Sequence, residues 1–252
     1  MQNTCNKLLT GIRLPYIKPS FQKEFIMPVI ALASSKGGCG KSTTALILAS
    51  AFSSDGYRVR IIDADRSKRL ERWGKSDQVC KLVSVVHADD QTLSAAVDKG
   101  RGEADVVIID VEGSANMVLA YAVGYADAVI VPANPSAPDV EDAVQTVALI
   151  RSTAKMVRKD IPYALLWSRV PTAIRSREIK ALEAQVSDGG IPVLGRVFER
   201  TAFKSMFSFG ATLDSLSSND VPGLEKAKVE ALELAALVIA LVRKSDTLGE
   251  EA

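Results

Sequence analysis

The chain has 252 residues, 47% of them hydrophobic and 24% charged, which suits one large α/β domain with a sizeable core and excludes disorder over long spans. Its formal net charge of +1 excludes attraction of nucleic acid by the molecule as a whole, so any such affinity has to come from a local patch. Cys5, Cys39 and Cys80 are odd in number and show no C-x-x-C spacing, which argues against a disulfide framework or a zinc site and fits a reducing cytoplasm.

In chain order, Met1 to Ile26 holds Lys7, Arg13, Lys18 and Lys23 but no continuous apolar run, so it matches neither a secretory signal nor a membrane span. Residues 1–26 are expected to be a flexible extension, 27–245 a single domain and 246–252 a short tail. Val29 to Ala33 is a short β-rich run, a glycine-rich loop spans Ser35 to Thr43, and Thr43 to Ala49 reads as the opening of a helix. After a turn at Asp55-Gly56, Val59 to Asp63 is a second strand, followed by Lys81 to His87, Ala104 to Asp110, Asp127 to Pro132, Pro162 to Trp167 and Ile191 to Leu194. Helical patterns lie between them, which predicts right-handed βαβ crossovers and a mostly parallel central sheet flanked by helices in three layers, with the ligand site at the carboxyl ends of the strands. Ala231 to Val242 is almost unbroken apolar sequence and reads as a packed C-terminal helix, because a membrane-surface anchor needs a cationic polar face.

The loop carries the most specific chemistry. Gly40-Lys41-Ser42 completes the second half of the phosphate-binding pattern G-x-x-x-x-G-K-[ST], whereas its first glycine position holds Ser35, followed by Lys36 and the pair Gly37-Gly38. Strand, loop and helix in this order define a P-loop NTPase fold. The backbone N–H groups from Lys36 through Gly37, Gly38, Cys39 and Gly40 to Thr43 can turn inward on phosphate oxygens at the positive end of the helix. Lys41 would reach the β- and γ-phosphates of ATP, and Ser42 would offer a hydroxyl to Mg²⁺. Asp110 closes an apolar strand in the manner of a Walker B aspartate and is expected to hold Mg²⁺ through water. Asp63 and Asp65 end the neighbouring strand; Asp63 is assigned to the metal shell and Asp65 to the attacking water. Two alternatives stand beside the second assignment: Asp65 caps a helix near Ser67, or Glu112 positions the water.

Lys36 to Thr43 resembles the deviant Walker A box of the ParA/MinD ATPases, Asp63-Ala64-Asp65 is similar to their second acidic motif, and Val106 to Asp110 to their Walker B strand. Arg69-Leu70-Glu71-Arg72-Trp73, Asp110-Val111-Glu112-Gly113 and Arg169-Val170-Pro171 look most like the ParA-like partition and T-DNA-transfer ATPases. The resemblance implies that Lys36 reaches across a nucleotide-sandwich homodimer to the phosphates of the other subunit, so that Lys36, Lys41 and Asp65 act in hydrolysis. It also implies non-specific binding of double-stranded DNA, a nucleoid-associated cytoplasmic location without stable membrane insertion, and a centromere-binding or relaxosome-type adaptor as partner. Arg66-Ser67 stands where Pro-Gln is usual in that family, and Ser168 lies near a common adenine-contacting Asn. The nitrogenase iron protein shares the loop but needs cluster cysteines beyond the Walker B strand, and no cysteine follows Cys80.

For DNA, the stretch from Arg151 to Lys204 holds eleven basic residues against five acidic ones, a net of +6 in a chain whose total is +1. Such asymmetry fits a surface that meets phosphates without reading sequence, and Arg175, Arg177, Lys180, Arg200 and Lys204 are the expected contacts. A nucleotide-gated scaffold that recruits a protein complex, or a ligase similar to dethiobiotin synthetase, are the rival functions. Trp73, Trp167 and His87 are expected to be structural.

Overall fold

The computed structural model describes residues 28–113, 116–172 and 177–249. Seven strands form one sheet in the order β3-β2-β4-β1-β5-β6-β7, where β1 is Val29–Leu32, β2 Val59–Ala64, β3 Val83–His87, β4 Val106–Val111, β5 Ala128–Ala133, β6 Tyr163–Val170 and β7 Val193–Phe198. Every pairing is parallel, a stricter arrangement than the mostly parallel sheet expected. The helices are α1 (Lys41–Ser54), α2 (Arg69–Trp73), α3 (Leu93–Glu103), α4 (Asn116–Tyr125), α5 (Ala137–Val157), α6 (Arg177–Asp188), α7 (Thr201–Phe209) and α8 (Leu224–Gly249).

Alternation along the central strand builds a core on each face. Ile30 and Leu32 of β1 face a cluster with α1, α7 and α8, built from residues such as Leu46, Phe52, Met206 and Val238. Val29 and Ala31 face the other cluster, with α3, α4, α5 and α6, through residues such as Val97, Leu119, Val147 and Leu182. All four β1 residues are fully buried. A strand covered on both faces reads as a continuous apolar run, which is why it stands out in the sequence, and burying each large aliphatic side chain contributes roughly 1.5–3 kcal/mol.

Several strand boundaries differ from expectation, β6 for one running on to Val170, and two of them have a clear local cause. β3 starts at Val83 because a turn precedes it, with Val83 N–H donating to the Cys80 carbonyl at 2.8 Å. β7 runs from Val193 to Phe198, past the expected end at Leu194; Gly195 and Arg196 break the apolar run, and the strand persists because β6 pairs with it and Leu237 packs within 3.2 Å of where a Gly195 Cβ would stand. The apolar C-terminal segment lies within α8, with Ala231, Leu234, Ala235 and Val238 buried in the first core. No helix among the described residues is long and apolar enough to cross a membrane.

Candidate nucleotide site

Strand order decides which side chains meet. β1 and β4 are adjacent and in register at Leu32 and Asp110, and β2 lies beside β4 with Asp63 opposite Asp110. The loop leaving β1, the Walker B carboxylate and the acidic motif therefore converge at one end of the sheet. Gly40 begins α1 with φ +103°, a left-handed conformation that penalises any side chain, and a Cβ there would stand 3.1 Å from Ser168 Cβ. No side chain caps the N-terminus of α1, so its first amides and the positive end of its dipole face the loop. Around it opens a cleft of about 870 Å³, lined by Gly37, Gly38, Lys41, Thr43, Asp65 and Glu112 and continuing past Ser168 and Arg169 to Phe198 and Phe203. That volume is in the range of small-molecule sites.

Lys41 is buried, and its Nζ donates to the Lys36 carbonyl at 2.7 Å. The Ser42 hydroxyl donates to Asp110 Oδ2 at 2.6 Å, while Asp110 Oδ1 is buried without a hydrogen-bond partner. Burial pushes the Asp110 carboxyl up to about 7, opposed by the Ser42 hydrogen bond and Lys41 and reinforced by Asp63 and Asp65. A buried carboxylate oxygen left unpaired is costly, and beside a serine hydroxyl it is the donor set a hard cation takes. The residues thus fit Mg²⁺ held by Ser42 and Asp110, next to phosphates on the loop amides and Lys41.

The two other acids are occupied differently. Asp63 is buried, and both its oxygens accept backbone N–H groups, from Asp65 at 3.1 Å and from Glu71 at 2.9 Å. This carboxylate fastens the loop between β2 and α2, from a position opposite Asp110 across the β2–β4 pairing. Asp65 Oδ1 accepts from Ser67 N–H at 2.7 Å and Oδ2 lies 3.5 Å from Arg69 Nη2. Burial raises the Asp65 carboxyl, but the Ser67 hydrogen bonds and Arg69 outweigh it and hold it below the usual value. It is therefore a turn-forming carboxylate, ionised at neutral pH, that also lines the cleft. Glu112 lines the same cleft and meets Arg66 at 3.6 Å.

Several functional neighbours give little sequence signal. Lys36 Nζ lies 3.3 Å from Asp139 Oδ2 and 3.8 Å from Asp142 Oδ2, at the start of α5. Ser136-Ala137-Pro138-Asp139 has the form of a helix N-terminus, and the Asp139 amide does donate to the Ser136 hydroxyl, but nothing in that pattern points to Lys36. Ser168 donates to the Cys39 carbonyl at 2.6 Å and lies 3.2 Å from Asn134 Oδ1. A Cβ on Gly113 would stand 2.5 Å from the Lys36 carbonyl carbon, so the loop after β4 rests directly on the peptide of the deviant lysine. Trp73 Nε1 donates to the Met206 carbonyl at 2.9 Å, His87 Nδ1 pairs with the Asp63 carbonyl at 2.8 Å, and Trp167 is buried in the second core.

The expected DNA contacts do not gather into one patch. Arg175 lies outside the described residues. Arg177 and Lys180 are exposed near the start of α6, whereas Arg200 and Lys204 belong to the α7 side, on the opposite face of the sheet. Arg200 pairs with Glu230 at 2.5 Å and stacks over Phe198, and its side chain is only 22% exposed. Lys204 pairs with Glu199 at 2.6 Å.

A parallel sheet whose central strand feeds a glycine loop with Lys41 and Ser42, beside a strand ending in Asp110, defines a P-loop protein of the ParA/MinD type. The chain belongs to the VirC1 protein family, whose model matches residues 27–245. Among curated proteins, it is 31% identical over 215 residues to "Protein ParA" of Rhizobium radiobacter, covering 84% of this chain and 96% of that protein. It is 25% identical over 189 residues to "Protein virC1" of Rhizobium rhizogenes, covering 71% and 80%. Among solved structures, a Cyanothece McdA variant in complex with ATP superposes with a TM-score of 0.68 at 18% identity, covering 84% of this chain and 97% of that one. The septum site-determining protein MinD of Pyrococcus horikoshii OT3, complexed with Mg-ADP, gives 0.63 at 18% identity, covering 83% and 94%. These two likenesses establish the fold.

Proposed function

We propose that this protein is an Mg-ATP-dependent switch: ATP binding pairs two copies around their nucleotides, the pair binds DNA without reading sequence, and hydrolysis resets it, so that DNA is partitioned or positioned. The observation that carries the reading is the Ser42–Asp110 pair with its unpartnered oxygen, set beside Lys41 and the amides of the Lys36–Thr43 loop. Support comes from the relatives named ParA and virC1 and from the ATP and Mg-ADP complexes of the structural neighbours.

In this reading each residue takes one role. Loop amides and Lys41 bind the phosphates, Lys41 exchanging the Lys36 carbonyl for phosphate oxygen. Ser42 and Asp110 would hold Mg²⁺, which spreads phosphate charge when bound. Asp63 keeps the β2–α2 loop in place, Asp65 orients the attacking water from that loop, and Lys36 of each copy offsets charge developing at the other's phosphates, as an arginine finger does. Arg177 and Lys180, exposed together on the first turns of α6, are phosphate contacts for DNA. An adaptor protein that stimulates turnover completes the cycle, in a nucleoid-associated setting.

The test is retention on random-sequence duplex DNA. Wild type should be retained with ATP and released as salt rises, and Lys41→Ala should not be retained. DNA affinity unchanged by ATP would overturn the reading.

A further inference from the structure

The segment Ser35-Lys36 is docked on the first turns of α5 at four points. Ser35 N–H donates to Thr146 Oγ1 at 3.1 Å and Ser35 Oγ to the Asp142 carbonyl at 3.3 Å, while Lys36 Nζ lies between Asp139 and Asp142. The Asp139 carboxylate also accepts from the Ser136 hydroxyl and from Asn134 Nδ2 at 3.1 Å. Asn134 then meets Ser168, which holds the Cys39 carbonyl. Lys36 is thereby tied to the far side of its own loop.

We propose that Asp139 and Asp142 stow Lys36 within its own subunit and so set how readily two copies pair; they are positioning residues for the lysine. The inference rests on the reading of Lys36 as the residue supplied to the other copy. One ammonium cannot serve both places. While it lies on α5 it is held by two carboxylates in cis, and pairing has to replace them with phosphate in trans. The attraction comes from those carboxylates alone, because the N-terminus of α5 presents the positive end of a helix dipole and repels a lysine. The hold is also reversible: the Lys36 side chain is 40% exposed and that of Asp142 30%, and partly exposed ion pairs of this kind are modest. A deeply buried pair would lock the lysine permanently.

Asp142→Asn is the cleaner variant. It removes one charge but leaves the main-chain carbonyl that receives Ser35 Oγ, whereas Asp139 also serves Ser136 and Asn134. With a non-hydrolysable ATP analogue, Asp142→Asn should pair about threefold more tightly per lysine, hence roughly tenfold for the symmetric dimer, as read by sedimentation across protein concentration. Lys36→Ala should pair weakly, and adding Asp142→Asn to it should change nothing further. A second measurement needs no dimer. In the nucleotide-free protein, acylation of the Lys36 amine, read by mass spectrometry against exposed Lys180, should rise about threefold in Asp142→Asn, because losing one of the two carboxylates that hold the amine on α5 leaves it more often free to meet the reagent. Wild-type pairing and wild-type labelling in Asp142→Asn would overturn the stowage, as would weaker pairing, or tighter pairing that persists without Lys36. Wild-type pairing by Lys36→Ala would overturn the trans role instead, with the labelling still deciding the stowage.

Discussion

Between pH 5 and pH 8 the nucleotide-free protein should lose stability through one side chain, Asp110. Its carboxyl is pushed up to about 7, first by burial, while in the unfolded chain an aspartate titrates near ~4. Between those values the folded protein binds a proton that the unfolded chain has released, so stability falls as pH rises and levels off above about 7. A gap of that size is a ceiling of about 4 kcal/mol, or on the order of 10 °C in melting temperature for a domain this large. Asp110→Asn has the same shape and no charge at any pH. The assay is thermal unfolding of both proteins with chelator and without nucleotide. The variant should exceed wild type by only about 1 kcal/mol at pH 5 and by up to about 4 kcal/mol at pH 8. An equal difference at both pH values would refute the reasoning, because it would mean that burial of a charge is not what Asn relieves. In the same way, binding of Mg-nucleotide at pH 6 should release a proton, since a carboxylate has to ionise to hold a cation, and calorimetry in buffers of different ionisation enthalpy would detect it.

Two further substitutions test other joints. Gly113 does not adopt a left-handed φ, so alanine is disfavoured there only by its 2.5 Å approach to the Lys36 peptide; relief by backbone shift costs about 1–3 kcal/mol, and nucleotide affinity measured by fluorescence titration should fall by roughly 10- to 100-fold. Asp127, at the other end of the sheet, accepts from Val29 N–H at 2.9 Å and pairs with Arg101 and Lys159 at 3.0 Å each. Asp127→Ala should lower stability by about 1–3 kcal/mol in denaturant unfolding and leave nucleotide affinity unchanged; a loss of affinity equal to the loss of stability would show that the two ends of the sheet are not independent.

The parts of the site legible in the sequence are those written within a few residues of one strand. Gly40-Lys41-Ser42 and Asp110 each follow an apolar run that both faces of the sheet bury, so pattern and chemistry coincide. Asp63 is equally visible, but not its direction: pairing of β2 with β4 places it opposite Asp110, and the amides of Asp65 and Glu71 claim its oxygens. Asp139 and Asp142 are hidden because their relation to Lys36 crosses more than 100 residues and exists only once α5 packs on the second core. The basic stretch is dispersed in space for a related reason. A charge count along the chain knows nothing of faces, and the sheet puts Arg177 and Arg200 on opposite ones. The end of β7 is obscured where Gly195 and Arg196 break an apolar pattern that strand pairing alone carries through.

The register of β1 against β4 has a consequence for how the molecule comes apart. Asp110 sits level with Leu32 through the hydrogen-bond ladder, and side chains alternate faces along a strand, so a slip of one residue would carry Asp110 to the far side of the sheet and set Val111 in its place. The phosphate site can be lost only by breaking the ladder at the centre of the molecule. Amides of β1 and β4 should then be among the last to exchange with deuterium, at the free energy of global unfolding. Those between Asp65 and Trp73, held by Asp63 and one indole, should exchange through far cheaper openings. The β2–α2 loop, which carries Asp65 to the rim of the cleft, can in this way open and close many times over while Asp110 and the strand ends beneath keep their register.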